Sequence, residues 1–458
     1  MPRRTAKHPM ATARPARGGA TTYSWSGFAQ VRDRRKLAVR LLTAFAAFTL
    51  SWHIFRLGSI NLTISDLALI ASLGLLLTRG NLNVMPLGMM TNLWFIGLVM
   101  MLGALLVSSL VSGDPTRWLV VGGQYIFGYL LLPMIVASND QAWIRRYLVC
   151  FVLGVTASQA IAITASFFFT FDDTQALMGL DFLTGTGRIG AFSGNANANG
   201  AMVGFALPIL VNALHHRTIS IKLALPCAVI LIWGLLSSAS FTAFSAAMLA
   251  LVVVYLVASP LKFLQFGLPV AVLMGAFLAT DPPLPAAFQN RVAGALASGN
   301  LDEAGTYAGR ASLNAEAWDI ANDTILIGLG VDGFRKVSSN GAPVHNFPLI
   351  VLTEGGFVAL TGLLMLIGVL LLAALHAVRV NRHDGAMAMA VLAVYCAFTI
   401  AVPHMFSRLW IGPVILALAV SFARNSHEPA VAGRTRFRTR GPSSPRGKDR
   451  HPASRAEI

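Results

Sequence analysis

Residues 343–378 read PVHNFPLIVLTEGGFVALTGLLMLIGVLLLAALHAV, and this stretch decides the fold class. After Pro343-Val344-His345-Asn346 the chain turns apolar and stays so to 378, with only Glu354 and His376 as ionisable interruptions. About 20 apolar residues suffice for a helix to cross a bilayer, so this run holds a span with room for a short re-entrant or interfacial piece before it. Similar runs recur along the chain. The 458 residues are 55% hydrophobic and 12% charged, with a mean hydropathy of +0.65. An ordinary soluble domain is about a quarter charged. The chain reads as an all-α, polytopic integral membrane protein.

Outward from that stretch, the hydropathy predicts twelve spans, at 41–57, 60–78, 88–110, 118–136, 146–170, 199–214, 220–237, 240–258, 265–280, 347–378, 385–403 and 406–424. The organisation that follows is a basic tail at 1–40, transmembrane helices 1–9 within 41–280, a long polar loop at 281–346, helices 10–12 within 347–424, and a second basic tail at 425–458. Both tails are rich in Pro, Ala, Gly, Ser and Thr and have little to bury, which predicts disorder. Cys150, Cys227 and Cys396 all fall in apolar runs, so neither a disulfide framework nor metal-ligand spacing is available. No carboxylate cluster or His/Cys spacing calls for a metal, and no cofactor is expected.

The net charge of +16 suggests nucleic acid in a soluble protein. Here its distribution argues otherwise. With the N-terminal tail in the cytoplasm, 27 of the 35 Lys and Arg residues lie on the inner side, including Arg145, Arg146, Arg217, Lys222, Lys262, Arg379 and Arg382 in the short loops. Eight lie outside: Arg56, Arg117, Arg188, Arg291, Arg310, Arg335, Lys336 and Arg408. The positive-inside rule therefore predicts two cytoplasmic termini and places both long loops, 171–198 and 281–346, on the far side of the membrane. The bilayer is the expected partner, and nucleic acid is not.

Two constellations lie on that far side. The first is Gly187-Arg188-Ile189-Gly190-Ala191-Phe192-Ser193-Gly194-Asn195-Ala196-Asn197-Ala198-Asn199-Gly200, which opens the sixth span. An arginine fork suits phosphate oxygens, and backbone N–H groups at a helix N-terminus suit anions. The same residues also describe an Asn-capped helix with an arginine at headgroup level. The second lies in the long loop. Tyr307 to Asn322 forms an amphipathic helix with Arg310, Leu313, Ala317 and Ile320 on one side and Glu316, Asp319 and Asp323 on the other. A flexible Gly328-Leu329-Gly330 turn follows, without the βαβ context of a nucleotide site. His345-Asn346 then stands at re-entry, where an imidazole can take a proton near neutral pH. His404 and Arg408 flank the turn between the last two spans, and Asp66 and Glu354 are charges within spans, whose structural and functional readings stand side by side.

Together these motifs resemble the O-antigen ligase and polymerase superfamily of bacterial envelopes. The likeness rests on Arg188 before the Gly/Asn-rich helix start, Arg310 with Trp318, Gly328-Leu329-Gly330 with Phe334, and His345-Asn346 followed by Glu354-Gly355-Gly356. It covers about 185–375 specifically. Two departures stand out: Ile325-Leu326-Ile327 lacks the proline common before the Gly-x-Gly turn, and Ser237-Ser238-Ala239-Ser240-Phe241-Thr242 lacks the arginine that many members carry at the outer start of the eighth span. The resemblance implies metal-independent, inverting glycosyl transfer at the inner membrane. The donor is an undecaprenyl-diphosphate-linked glycan, and the acceptor a hydroxyl of lipid A-core or of another glycan chain. It implies catalytic His345 and Arg310, with Arg188, Asn195, Asn199, Trp318, Asn346, Glu354 and Arg408 binding substrate, and other envelope polysaccharide assembly proteins as partners. A transporter or flippase and a non-catalytic scaffold are the rival classes. Carriers of twelve spans have repeat halves around a central cytoplasmic loop, whereas this chain has no evident repeat and its longest loop late and outside.

Overall fold

The computed structural model describes residues 26–57, 61–78, 80–179, 181–262, 284–300 and 307–423, with 265, 275 and 280 as isolated positions. Most of the predicted ninth span, much of the N-terminal tail and the whole C-terminal tail lie outside the described residues. Seven described helices are long and apolar enough to cross a membrane. They are α3 (Gly88–Val111), α4 (Pro115–Ala137), α5 (Gln141–Phe168), α7 (Ala196–His215), α8 (Ile221–Ser238), α9 (Phe241–Ala258) and α13 (Phe347–Val380). The protein is a helical membrane protein. The other helices are α1 (Ser26–Phe48), α2 (Ile64–Leu77), α6 (Phe171–Met178), α10 (286–298), α11 (Tyr307–Asp323), α12 (Phe334–Val337), α14 (Arg382–Thr399) and α15 (Arg408–Phe422). A two-residue hairpin, Arg56–Leu57 with Leu62–Thr63, joins α1 to α2.

Three differences from the hydropathy reading have physical causes. Helix α1 begins at Ser26, inside the stretch expected to be a disordered tail, and continues without a break into the first apolar run. Helices α2 and α15 have 14 and 15 residues. At 1.5 Å per residue α15 is about 22 Å long, short of the roughly 30 Å hydrocarbon core. All of it from Arg408 to Val420 is buried among other helices, so the bilayer does not set its length. Finally, the polar loop is not all loop. Phe288, Val292 and Ala295 recur at helical spacing and bury one face of α10.

The decisive feature lies inside α13. Its helix is interrupted at Gly356, whose φ of 72° and ψ of −173° are open to glycine and strained for other residues. The break frees backbone groups that lipid cannot satisfy. The segment read as a flexible Gly-Leu-Gly turn repairs it. Leu329 N–H donates to Thr353 O at 3.0 Å, Gly330 N–H to Glu354 O at 2.9 Å, and Phe357 N–H to Ile325 O at 2.7 Å. On its other side Gly328 and Val331 donate to the Ser108 and Ser109 hydroxyls of α3, both at 3.0 Å. A clip of irregular chain is thus wedged between α3 and α13. Gly328 is required by contact: a Cβ there would meet the Glu354 carbonyl carbon at 2.2 Å.

Gly328→Ala is expected to destabilise the protein by about 1–3 kcal/mol, because backbone rather than a flexible side chain blocks the added methyl. Gly103→Ala, with open space around its Cβ position, serves as the control. Thermal denaturation in detergent would show a lower Tm for the first and not the second.

Candidate functional site

One cavity of about 470 Å³ opens at the end of the bundle where α7, α9 and α13 begin and α8 and α14 finish. Arg188, Arg291, Arg310 and His345 all line it, and they come from four separate segments. Among the described residues, no carboxylate lines it.

Each of these side chains is positioned by local structure. Arg188 sits on a short hairpin closed by the Leu183–Ile189 bridge. Its Nε donates to Ser238 O at 2.9 Å and its Nη2 to Asn197 Oδ1 at 2.7 Å. A guanidinium has five donors, so three remain for a ligand. Ile189 N–H donates to Ser237 O at 3.0 Å, which ties the hairpin to the end of α8. Arg310 projects from α11, whose Leu313, Ala317 and Ala321 are buried as the amphipathic pattern predicts. Helix α11 packs along α13. Arg291 is brought in by Phe288, which packs edge-on against Phe244 of α9 with ring centroids 5.4 Å apart. Arg291 thus stands beside the start of α9, the region whose Ser237–Thr242 sequence carries no arginine of its own.

Burial pushes the Arg188 guanidinium down to about 10, with Arg291 and Arg310 adding like-charge repulsion. Arg310 is lowered by burial and by Arg291. Three guanidiniums thus share one cavity, and the repulsion felt by Arg188 and Arg310 marks its potential as positive. His345 is lowered by burial first and the Arg310 charge second, against an opposing hydrogen bond to the Ala401 backbone. Its imidazole is therefore neutral near pH 7. Its Nδ1 is buried without a hydrogen-bond partner in the protein, as is Asn314 Oδ1, one turn beyond Arg310 on α11. Both atoms can accept a hydrogen bond.

The remaining sequence candidates lie outside this lining. Asn195 caps α7 through Asn197 N–H and Ala198 N–H. Asn199 is buried and bonded to Gln159 and Ile189 O. Asn346 caps α13 through Leu349 N–H. Trp318 is 58% exposed on α11. Arg408 is buried, donating to Asp66 Oδ1 at 2.7 Å and Asn61 O at 2.9 Å, and so ties α15 to α2. Glu354, at the break in α13, accepts from His404 Nε2 at 2.8 Å.

Among the described residues, Asp332, Glu354 and His404 form the group whose donor atoms lie close enough to hold a metal ion, within 4.8 Å of one another. They are already engaged with protein partners. Asp332 pairs with Arg117, and His404 with Glu354. Burial opposes charge on His404, but the Glu354 carboxylate and its hydrogen bond raise its affinity for a proton overall.

Arg291 and Asn314 were legible only in part. The spacing of Phe288, Val292 and Ala295 marks a helix that carries Arg291, and Asn314 follows Arg310 by four, so both share the cavity side of their helices. Nothing in the order of residues says that the two helices meet. No known protein family profile and no curated protein matches this chain in sequence.

His345 and His404 are expected to titrate in opposite directions from the ordinary value of about 6.5, His345 below it and His404 above it. Histidine-selective NMR of the protein in micelles would check both. Arg310→Ala should move the His345 midpoint upward, because it removes a repelling charge.

Proposed function

We propose that this protein is a membrane glycosyltransferase of the O-antigen ligase and polymerase type, transferring a glycan from undecaprenyl diphosphate to a sugar hydroxyl on the outer face of the bacterial inner membrane. One observation carries the reading. A single cavity combines three guanidiniums, two buried acceptor atoms without protein partners and, among the described residues, no carboxylate. That set suits a ligand with anionic oxygens for the arginines and hydroxyls for His345 Nδ1 and Asn314 Oδ1. A sugar diphosphate has both.

The chemistry follows from the same groups. The acceptor hydroxyl donates its hydrogen bond to the neutral His345 Nδ1. As its oxygen attacks the anomeric carbon, its proton passes to that nitrogen. The bond from the anomeric carbon to the phosphate oxygen breaks on the opposite face, inverting the centre, and the electron pair leaves with the diphosphate. The guanidiniums of Arg188, Arg291 and Arg310 stabilise that growing charge, and forked contacts make them better suited than lysines. The orientation is supported by the opposite end of the bundle, where Arg145 bonds Asp384 and basic loops cluster, as the positive-inside rule requires of a cytoplasmic face.

A second reading has one observation in its favour. Broken membrane helices with a buried acid at the break line binding sites in secondary transporters, and α13 has Glu354 beside Gly356. Uptake of sugar phosphates into proteoliposomes, without transfer to an acceptor, would select it.

In purified protein given lipid-linked donor and acceptor, His345→Ala is expected to lose roughly 10²–10⁴-fold in turnover while inserting normally. His345→Gln should not rescue it, and robust transfer by the Gln variant would remove His345 as base. Arg310→Lys should lose roughly 10- to 100-fold despite keeping the charge, whereas the exposed Arg335 should tolerate replacement. Activity should survive a chelator. In wild-type protein kcat/KM should fall on the acid side with a midpoint below about 6.5, since the base must be neutral and its proton affinity is lowered. A cysteine at the exposed Ser298 should react with an impermeant thiol reagent from outside intact cells.

A further inference from the structure

A second cavity, of about 450 Å³, has the opposite chemistry. Ile161, Thr164 and Phe169 at the end of α5, Leu177 and Met178 from α6, and Phe182 line it, and among the described residues none of its lining is charged. The Thr174 hydroxyl in its wall is satisfied by Thr170 O and Phe171 O. Helix α6 is held in place by a capping box between Thr170 and Asp173, so a short, well-terminated helix walls the groove. Its size lies in the range of small-molecule sites. The surrounding surface is strongly apolar: Phe167, Phe168 and Leu177 are 74%, 76% and 71% exposed.

One stretch of chain contributes to both the groove and the arginine cavity, Phe182 to the first and Arg188 to the second. Phe182 belongs to a small core with Leu183, Ile189 and Phe192. Gly190 N–H donates to Phe182 O at 2.9 Å, and Thr184 N–H donates to Arg188 O at 2.9 Å. One short hairpin thus presents Phe182 to the groove and Arg188 to the charged cavity.

We infer that the groove holds the first part of the polyprenyl chain of the diphosphate donor; this rests on the transferase reading and names where its lipid lies. The decisive argument is connectivity. In the donor the reacting carbon, the diphosphate and the hydrocarbon chain are joined in immediate succession. A diphosphate held by Arg188 must therefore release its chain within reach of that arginine. The acceptor hydroxyl is separated from any lipid of its own by intervening sugars, so nothing requires the acceptor's lipid to lie here. A bulk phospholipid can enter an apolar groove, but its place does not depend on Arg188.

The test uses the full chain in nanodiscs and two probes with a diazirine early in the hydrocarbon, one a polyprenyl diphosphate and one a phosphatidylethanolamine. The polyprenyl probe is expected to label the segment 160–182. Unlabelled undecaprenyl diphosphate should compete, and Arg188→Ala should reduce the labelling several-fold. Equal labelling by the phospholipid probe, or indifference to Arg188→Ala, would overturn the assignment. Thr164→Trp, which fills the groove, should raise KM about tenfold for a long-chain donor by displacing one or two buried methylenes' worth of contact. It should leave KM unchanged for a donor with a two-isoprene chain, and an equal effect on both would also overturn the assignment. Specific labelling without any glycan transfer by wild-type protein would keep the groove and its ligand while removing the transferase reading.

Discussion

A membrane helix that breaks exposes backbone groups to a solvent that cannot hydrogen-bond them, at several kcal/mol for each group left unmet. The arrangement of this protein depends on how the break at Gly356 is met. The irregular segment 325–331 donates to the Thr353 and Glu354 carbonyls and offers the Ile325 carbonyl to Phe357 N–H. The serine hydroxyls of α3 take its outward N–H groups. This holds the later part of the long connection against two membrane helices. His345, at the end of that connection, and Arg310, on α11 just before the clip, are thereby brought to one cavity without a domain of their own.

Charge is distributed by the same economy. Arg408 forks onto Asp66, Arg145 onto Asp384, Arg117 pairs with Asp332 and Arg40 with Asp140. In these places a cation removed from water has a carboxylate beside it, as low-dielectric surroundings demand. The arginine cavity is the exception. Arg188 donates instead to a neutral carbonyl and an amide, and among the described residues no acid lines the cavity. Guanidiniums gathered in one cavity repel one another, as Arg188 and Arg310 show, and an anion among them would relieve that repulsion. His345 in the same space completes the contrast, because burial and the neighbouring Arg310 charge both lower its affinity for a proton.

Much was determined by the sequence alone. Apolar length set the membrane class, because hydrocarbon accepts only segments that satisfy their own backbone, and seven of the predicted spans reappear as long apolar helices. The periodicity of 307–323 set α11 and its buried face, and the residue types Arg188, Arg310 and His345 marked three of the four ionisable groups that line the cavity. Tertiary structure decided the rest. Whether Arg408 or Arg291 reached the cavity depended on contacts with Asp66 and Phe244, residues far away along the chain. Asn195, Asn199 and Asn346 had the right chemistry for a ligand, but local helix starts and a buried amide pair claimed their hydrogen bonds first. The Gly328-Leu329-Gly330 motif was legible as glycine and silent about its partner. A glycine announces that something comes close, and only the folded chain shows that here it is the open backbone of another helix.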